Sequence, residues 1–430
     1  MKKLVMFLVV LAMVVVPFAG CSQPSEGQES PSTSEAPATS EAPSVEPSAE
    51  AAVKIGVILV HDENTGYDSA HIEGIKAAAA AVGFAEDQIV WKYNISEDEK
   101  CYDAATDLVE EGCTYVISDS FGHQSYMQQA ASENEDVTFI SMTGVNAAPS
   151  GLANLKNAFN KTFESRYVSG VVAGMKLAEL VADGKVADKN MDADGNIKMG
   201  YVGAYPYDEV VSGYTGFYLG VKSIVPNVVM DVQYTNSWYD PTAEAEAANA
   251  LVASGAIIIS QHADSTGAPA ACQALLDSGT TVYCVGYNVD MLSVAPTAAL
   301  TSCQNDWSVY YTYVFNCIKN GEEIKTDWAE GYSEGAVMIS ALGESCAEGT
   351  DAKVAEVEAA LKDGSLKVFD INTFTVGGQK ITTAPALDTD GDFVPDSGEA
   401  IVDGAFAEST LRSAPYFGLR IDGITELNAQ

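Results

Sequence analysis

Positive charge is scarce in this sequence. Its 430 residues include 22 lysines and arginines against 60 aspartates and glutamates, which gives a formal net charge of −38 at pH 7. Proteins that bind nucleic acid or anionic lipid by charge need clustered basic side chains. The composition therefore argues against both roles, and we expect no nucleic acid among the partners.

Catalytic and redox signatures are also absent. The sequence has no GxSxG nucleophile turn, no P-loop, no HExxH zinc motif and no CxxC pair. The eight cysteines occur singly, so most are expected to be small buried side chains, and their spacing leaves disulfides open. We predict that the protein is not an enzyme and requires no cofactor.

Long apolar runs are limited to one, at the start of the chain. Lys2 and Lys3 precede an apolar stretch at 4–16, shorter than the ~20 residues of a membrane-spanning helix, and two small residues then precede Cys21. This order is typical of a bacterial lipoprotein signal peptide over residues 1–20, with Cys21 as the lipidated residue; a plain secretory signal is the alternative. We expect the protein to be held to the extracytoplasmic side of the cell membrane through this lipid anchor only.

Large apolar side chains are nearly missing from residues 21–52, which consist mainly of Ser, Pro, Glu, Ala and Thr. Such a segment cannot bury enough surface to offset the entropy lost on ordering. It is predicted to be a disordered tether between Cys21 and the folded part.

From Val53 onward, short apolar runs alternate with helical stretches. Strands are predicted at 54–60, 88–93, 115–119, 138–143, 197–204, 230–235, 256–261, 281–286 and 298–302. Helices are predicted near 66–82, 98–112, 122–134, 163–183, 208–224, 241–254, 266–278 and 306–320. This alternation predicts an α/β protein in which helices cover both faces of parallel sheets.

Nine strands are more than one sheet readily accommodates. The long predicted helix at 163–183 also interrupts the regular alternation of strands and helices. We therefore predict two Rossmann-like lobes joined by a hinge. The expected boundaries are 53–162 with a return segment at about 291–320 for lobe 1, 163–290 with about 321–344 for lobe 2, and 345–430 for a C-terminal extension with an acidic loop. The extension is expected to wrap lobe 2 and to contain strands at 367–370 and 373–376.

Ligands of open α/β sheets bind beyond the carboxyl ends of the strands. Polar loops follow predicted strands at 61–68, 118–123, 205–208, 237–241, 261–267 and 286–291, and all but 261–267 also hold an aromatic residue. Aromatic faces with a few hydrogen-bonding groups suit a flat, hydroxylated ligand. The same residue types form turns and helix N-caps, which is the alternative for any single aspartate.

A set of short segments carries a family resemblance. They are Asn64-Thr65-Gly66-Tyr67-Asp68, Phe163-Glu164-Ser165-Arg166-Tyr167-Val168-Ser169-Gly170, Gly213-Tyr214-Thr215-Gly216-Phe217, Tyr234-Thr235-Asn236-Ser237-Trp238-Tyr239-Asp240-Pro241 and Asp264-Ser265-Thr266-Gly267. Together they resemble the basic membrane protein family of lipoproteins, which includes purine-nucleoside-binding receptors, from about Lys54 to about Gly343. The resemblance implies a type I periplasmic-binding fold and delivery of a small planar solute, a nucleoside, to the permease and ATPase of an ABC importer.

Roles for single residues follow from the same resemblance. Tyr67 and Trp238 look like the two aromatics that sandwich the base, and Asp68 stands where the family has Asn. Gly267 and Asn288 match positions near the sugar. The predicted ligand-binding set, including the loop residues above, is Tyr67, Asp68, Asp119, Phe121, Trp238, Asp240, Asp264, Gly267, Asn288, Asp290 and Asn305.

Two positions depart from the family pattern. The family usually has Asp where this chain has Asn288, and Lys where it has Asn305. An acid and a base that would contact the ribose are thus both replaced by neutral amides. The departures suggest a changed hydroxyl contact or a changed ligand.

Acidic residues recur at calcium-loop spacing near the C-terminus. Asp388, Asp390, Asp392, Asp396 and Glu399 occupy positions 1, 3, 5, 9 and 12 of such a loop. The position-six glycine of the pattern is missing, and no clear helices flank the loop. Calcium binding and a solvated acidic loop are both open.

Two other functions compete with solute delivery. His61, His123 and His262 lie at predicted strand ends, which leaves a metal-binding receptor as one alternative. The other alternative is a ligand-sensing surface lipoprotein without a transporter. In each case we expect a monomer.

Overall fold

The protein, described by a computed structural model over residues 53–387 and 396–429, is built from alternating strands and helices. The strands are β1 (Ile55–Ile58), β2 (Ile89–Lys92), β3 (Tyr115–Ser118), β4 (Thr138–Met142), β5 (Leu155–Ala158), β6 (Ile197–Gly203), β7 (Val228–Tyr234), β8 (Ile258–His262), β9 (Tyr283–Tyr287), β10 (Ala299–Asn305), β11 (Asp327–Trp328), β12 (Val337–Ile339), β13 (Pro385–Leu387), β14 (Ser397–Glu399), β15 (Ile401–Val402), β16 (Ala405–Phe406) and β17 (Ile424–Glu426). The helices are α1 (Gly66–Val82), α2 (Glu99–Glu110), α3 (Gln124–Glu133), α4 (Ala147–Ser150), α5 (Thr162–Ala182), α6 (Asp208–Ile224), α7 (Pro241–Ala253), α8 (Gly267–Asp277), α9 (Trp307–Asn320) and α10 (Thr350–Lys362).

Two sheets form the centres of two lobes. The first has the strand order β11-β5-β4-β3-β1-β2, and all of its pairings are parallel. The second has the order β12-β10-β9-β8-β6-β7-β17, in which β12 runs antiparallel to β10. Strands β1 and β8 are buried along their whole length, as coverage of both sheet faces requires. The predicted two-lobed α/β fold is confirmed.

Each sheet is sandwiched between helices. Helices α1 and α9 pack on one face of the first sheet, and α2 and α3 pack on the other. Helices α5 and α6 cover one face of the second sheet, and α7 and α8 cover the opposite face. Because each lobe has its own apolar core, the two lobes are able to move as separate bodies.

Three crossover segments join the lobes: the connections β5 to α5, β10 to α9, and β11 to β12. They are hydrogen-bonded to one another. The Asn160 side-chain amide donates to the Ala336 carbonyl at 2.9 Å, and Thr162 Oγ1 donates to Asn305 Oδ1 at 2.8 Å. The Asp306 amide also donates to Ala336, at 2.9 Å. These segments are where hinge motion is expected.

The chain path differs in detail from the sequence-based boundaries. Within the predicted return segment 291–320, strand β10 pairs with β9 in the second sheet, while α9 packs on the first sheet, in lobe 1 as predicted. Within 321–344, strand β11 pairs with β5 in the first sheet, while β12 lies in the second sheet, in lobe 2 as predicted. An apolar run predicts a strand but not its partner, because pairing depends on contacts that are distant in sequence.

The C-terminal extension packs on lobe 2. Helix α10 lies against α5, and β17 adds to the edge of the second sheet beside β7. Phe369, Phe374 and Phe417 are buried in the core of the same lobe. The strands expected at 367–370 and 373–376 do not form. The backbone there is irregular, and the buried aromatic side chains hold it against lobe 2.

One buried carboxyl in the extension is expected to make stability depend on pH. Glu408 is 4% exposed; its Oε1 accepts from the Tyr416 amide at 2.5 Å, and its Oε2 has no partner. Burial raises the pKa of Glu408 to about 8. A raised acid pKa means that the folded state binds the proton more tightly than the unfolded state. Its contribution to stability is full below the unfolded pKa and is lost as the pH rises through about 8.

Glu408→Gln should therefore flatten the pH dependence of unfolding. Glutamine retains an acceptor for the Tyr416 amide but cannot ionise. We expect the variant to gain melting temperature relative to wild type as the pH is raised from 5 to 9. Parallel curves for both proteins across that range in thermal melts would show that Glu408 is not responsible.

Candidate functional site

A cavity lies between the two lobes, at the carboxyl ends of strands from both sheets. Its lining consists of Val60, Tyr67, Asp119, Ser120, Phe121 and Thr143 from lobe 1, and Glu209, Trp238, His262, Asp264 and Tyr287 from lobe 2. It contains about 380 Å³ of free space, part of it open to solvent. Small-molecule sites occur preferentially at interfaces between domains. The location fits a ligand held by both lobes.

Two aromatic rings from opposite lobes line this cavity. Tyr67 lies in the first turn of α1, where its hydroxyl donates to the Asp119 carbonyl at 2.8 Å and its ring lies edge-on to Trp307 at 6.3 Å. Trp238 follows β7 and lies edge-on to Tyr205 at 5.2 Å. These contacts fix both rings in place. Planar groups stack favourably on such faces.

Two buried aspartates bring hydrogen-bonding capacity to the cavity. Asp119 Oδ1 accepts from the Val60 amide at 3.1 Å, and Asp119 Oδ2 has no partner. Burial, with the nearby Asp68 carboxylate, raises the pKa of Asp119 well above its usual value. The unpartnered Asp119 Oδ2 is costly to bury, which favours a ligand that hydrogen-bonds to it.

Asp264 Oδ1 accepts from Asn288 Nδ2 at 2.7 Å. Burial, together with the nearby Glu244, raises the pKa of Asp264 well above its usual value.

A histidine, a glutamate and an arginine form the lobe 2 side of the site. His262 Nε2 lies 3.1 Å from Glu209 Oε1. Burial, with the charge of Arg166, lowers the pKa of His262 to about 4, so its ring is neutral at pH 7. Arg166 is fully buried, donates to the Gln261 carbonyl at 2.6 Å, and lies 3.8 Å from the ring centre of Tyr287. The arginine thus supports the wall of the cavity from behind.

Side chains of the two lobes touch across the cleft. Phe121 and Tyr207 have ring centres 5.5 Å apart, and His61 and Tyr239 have ring centres 5.9 Å apart. The first residue of each pair belongs to lobe 1 and the second to lobe 2. The structure therefore represents a closed arrangement of the lobes.

Five of the predicted ligand-binding residues line the cavity: Tyr67, Asp119, Phe121, Trp238 and Asp264.

Three others lie behind it. Asp68 is fully buried and accepts from the His61 amide at 2.7 Å and from Thr65 Oγ1 at 2.5 Å. Asn288 adopts a left-handed φ of 63° and holds Asp264. Asn305 bonds to Thr162 in the hinge.

The remaining three predicted residues serve local structure. Asp240 caps α7 by accepting from the Thr242 and Ala243 amides at 3.1 and 2.9 Å. Gly267 begins α8, where a Cβ would overlap the carbonyl oxygen of Pro241. Asp290 is exposed and accepts from the Leu292 amide at 2.9 Å. The alternative given for single aspartates describes both residues: Asp240 caps a helix, and Asp290 forms a turn through its bond to the Leu292 amide.

Several lining residues are absent from the predicted ligand-binding set: Val60, Ser120, Thr143, Glu209, His262 and Tyr287. Thr143 directly follows β4, and Tyr287 ends β9, so the rule on carboxyl ends of strands applies to both. Glu209 lies in the first turn of α6, one position beyond the loop that was singled out. The rule on strand ends points to these segments of the sequence, but it does not indicate which of their side chains face the cavity.

The metal-site alternatives gain no support from the described residues. His123 is buried between Ser118 Oγ at 2.8 Å and the Ile95 carbonyl at 2.9 Å. Within residues 53–387 and 396–429, no three His, Cys, Asp or Glu side chains are grouped to hold a metal ion.

Several predicted features lie outside the described residues: Asp388, Asp390 and Asp392 of the acidic loop, Cys21, the signal peptide and the tether. Of the acidic loop's outer residues, Glu399 accepts from the Ala384 and Ile401 amides. In the described ranges, no helix has both the length and the apolar character needed to cross a bilayer.

Comparison with known proteins identifies the family of the chain. Over residues 53–368 the chain matches the family model Bmp, described as ABC transporter substrate-binding protein PnrA-like. A purine-binding protein of Brucella abortus is 29% identical over 75% of this chain and 84% of its own length. A putative ABC transporter glucose-binding protein of Haloferax volcanii is 26% identical over 72% of each chain.

Solved structures share the fold. An ABC transporter solute-binding protein from Aeropyrum pernix superposes with a TM-score of 0.61 at 14% identity, covering 74% of this chain and 93% of its own. At this identity the likeness concerns the fold alone. Because the family model spans both lobes and the interlobe cavity, the chain belongs to the Bmp family of PnrA-like ABC transporter substrate-binding proteins.

Proposed function

We propose that this protein captures a nucleoside in the interlobe cavity and delivers it to an ABC importer. The observation that carries the proposal is the placement of Tyr67 and Trp238, from opposite lobes, on one cavity. A base between two aromatic rings gains stacking contacts only when both lobes close on it. Ligand binding thereby favours the closed form that a permease is able to recognise.

The polar groups of the cavity favour an uncharged ligand. The acidic lining residues are Asp119, Glu209 and Asp264, and no lysine or arginine lies among the described lining residues. A phosphate would bring negative charge beside these carboxyls. Ribose hydroxyls and base amino groups would instead donate to them. A nucleoside is therefore a better fit than a nucleotide.

Two curated relatives differ in the ligand that their names give, since one is named for purines and one for glucose. The ligand class is accordingly the point to test. We expect calorimetric titration to give tight binding of purine nucleosides, weaker binding of the free bases, and no binding of hexoses or nucleoside 5′-monophosphates. Binding of glucose but of no nucleoside would overturn the proposal.

The lipid anchor is a second part of the proposed function. Cys21 would carry the lipid, and residues 21–52 would let the lobes reach the permease at the same membrane. Mass spectrometry of the mature N-terminal peptide from the native host should show a diacylglyceryl-modified Cys21. An unmodified peptide from a membrane-free fraction would contradict this part alone.

A further inference from the structure

The C-terminal extension reaches beyond the part of the chain that the family model matches, which ends at residue 368. Its last segment is fixed to lobe 2. Strand β17 pairs with β7, and Glu426 Oε1 accepts from the hydroxyls of Tyr214 and Tyr234 at 3.1 and 2.5 Å. Asn428 exchanges hydrogen bonds with the Tyr234 backbone. The extension therefore moves with lobe 2.

Ser413 of the extension binds lobe 1. The amide and the hydroxyl of Ser413 both donate to Asp327 Oδ1, at 2.9 and 2.7 Å. Asp327 begins β11, at the edge of the first sheet. Ser413 is only 1% exposed and Asp327 is partly exposed, so this contact is half-buried. Hydrogen bonds to an ionised group are about twice as strong as neutral ones.

The segment around Ser413 also forms a wall beside the ligand cavity. A second cavity, with about 1580 Å³ of free space that is partly open to solvent, is bounded by both lobes and by extension residues such as Arg412 and Pro415. It shares Phe121, Thr143 and Glu209 with the ligand cavity. The two spaces are therefore neighbours, and the extension covers one side of the cleft.

We propose that the extension is a latch that holds the lobes closed through Ser413 and Asp327. Rotation of the lobes about the crossovers would separate a segment fixed to lobe 2 from a residue fixed to lobe 1. The contact is thus made only in the closed form, and it slows ligand release. Ser413 and Asp327 are positioning residues, because neither lines the ligand cavity. The effect on release rests on the proposed nucleoside binding; the effect on lobe closure does not.

Release kinetics test the latch. Asp327→Ala removes both hydrogen bonds and should speed nucleoside dissociation about ten-fold or more, since about 1.4 kcal/mol corresponds to a factor of ten. Ser413→Ala keeps the amide donor and should have a smaller effect. The double variant should release ligand no faster than Asp327→Ala alone, because the two residues act as a pair. Stopped-flow tryptophan fluorescence provides the rates.

Thr373→Ala is the matched control. Its hydroxyl donates to the Asp370 carbonyl at 2.7 Å within the extension, so the variant should release ligand at the wild-type rate. Equal rates in wild type and Asp327→Ala would overturn the latch.

A ligand-independent measurement separates the latch from the proposed function. Small-angle scattering of the purified proteins should give a larger radius of gyration for Asp327→Ala than for wild type and Thr373→Ala. If no nucleoside binds wild type, the proposed function fails while scattering still decides on the latch. Identical scattering for all three proteins would show that the contact does not hold the lobes together.

Discussion

Trp238→Ala should weaken nucleoside binding at least about ten-fold, because an aromatic pair contributes ~0.5–1.5 kcal/mol beyond the burial of its area and 1.4 kcal/mol is a factor of ten. Trp238 is the one tryptophan among the described lining residues. Its replacement removes one face of the predicted sandwich without touching the hinge. Isothermal titration calorimetry with the preferred nucleoside gives the change in Kd.

Two further variants make this result specific. Trp238→Phe keeps an aromatic face and should retain most of the affinity. Trp91→Ala removes an indole that stacks on Tyr93 at 5.9 Å, outside the cavity, and should leave Kd unchanged. A Trp238→Ala protein that binds as tightly as wild type would mean that the indole does not stack on the ligand.

Gly220→Ala should lower the free energy of unfolding by about 2 kcal/mol or more, since overpacking a well-filled contact typically costs about 1–3 kcal/mol. Helices α5 and α6 cross with Gly170 against Gly220, and a Cβ on Gly220 would overlap the Tyr167 carbonyl oxygen. Backbone cannot rotate away as a side chain can. The helices would have to separate, which opens the lobe 2 core.

The same change should also weaken binding. Helix α5 carries Arg166 and α6 carries Glu209, so a shift between the helices displaces two groups beside the cavity. Ser223→Ala, on the exposed face of α6, is the control and should leave both quantities near wild type. Chemical denaturation and calorimetry provide the two measurements; a Gly220→Ala protein of wild-type stability would show that the helix contact tolerates a methyl group.

The regular elements could be predicted because their patterns are local. Apolar runs such as 256–261 and helical stretches such as 163–183 correspond to β8 and α5 within a few residues. The alternation of both kinds predicted parallel sheets and two lobes. Tyr67 and Trp238 were found because each follows a strand in a recognisable segment.

The extension and the inner wall of the site were harder to predict. Strands β11 and β17 are short, and pairing with distant partners rather than their own pattern makes them strands. Asn305 stands where the family usually has a Lys that would contact the ribose, but the crossovers place it in the hinge, bonded to Thr162. Arg166 lies in a helix, where nothing in the sequence indicates burial behind Tyr287.

A crystal structure of the protein grown with its preferred purine nucleoside tests the central claim most directly. We predict that the base lies between the Tyr67 and Trp238 rings, with heavy atoms about 4 Å from each, and that Asp119 or Asp264 contacts a ribose hydroxyl or a base amino group. A nucleoside bound elsewhere, or a base that touches neither ring, would contradict the account.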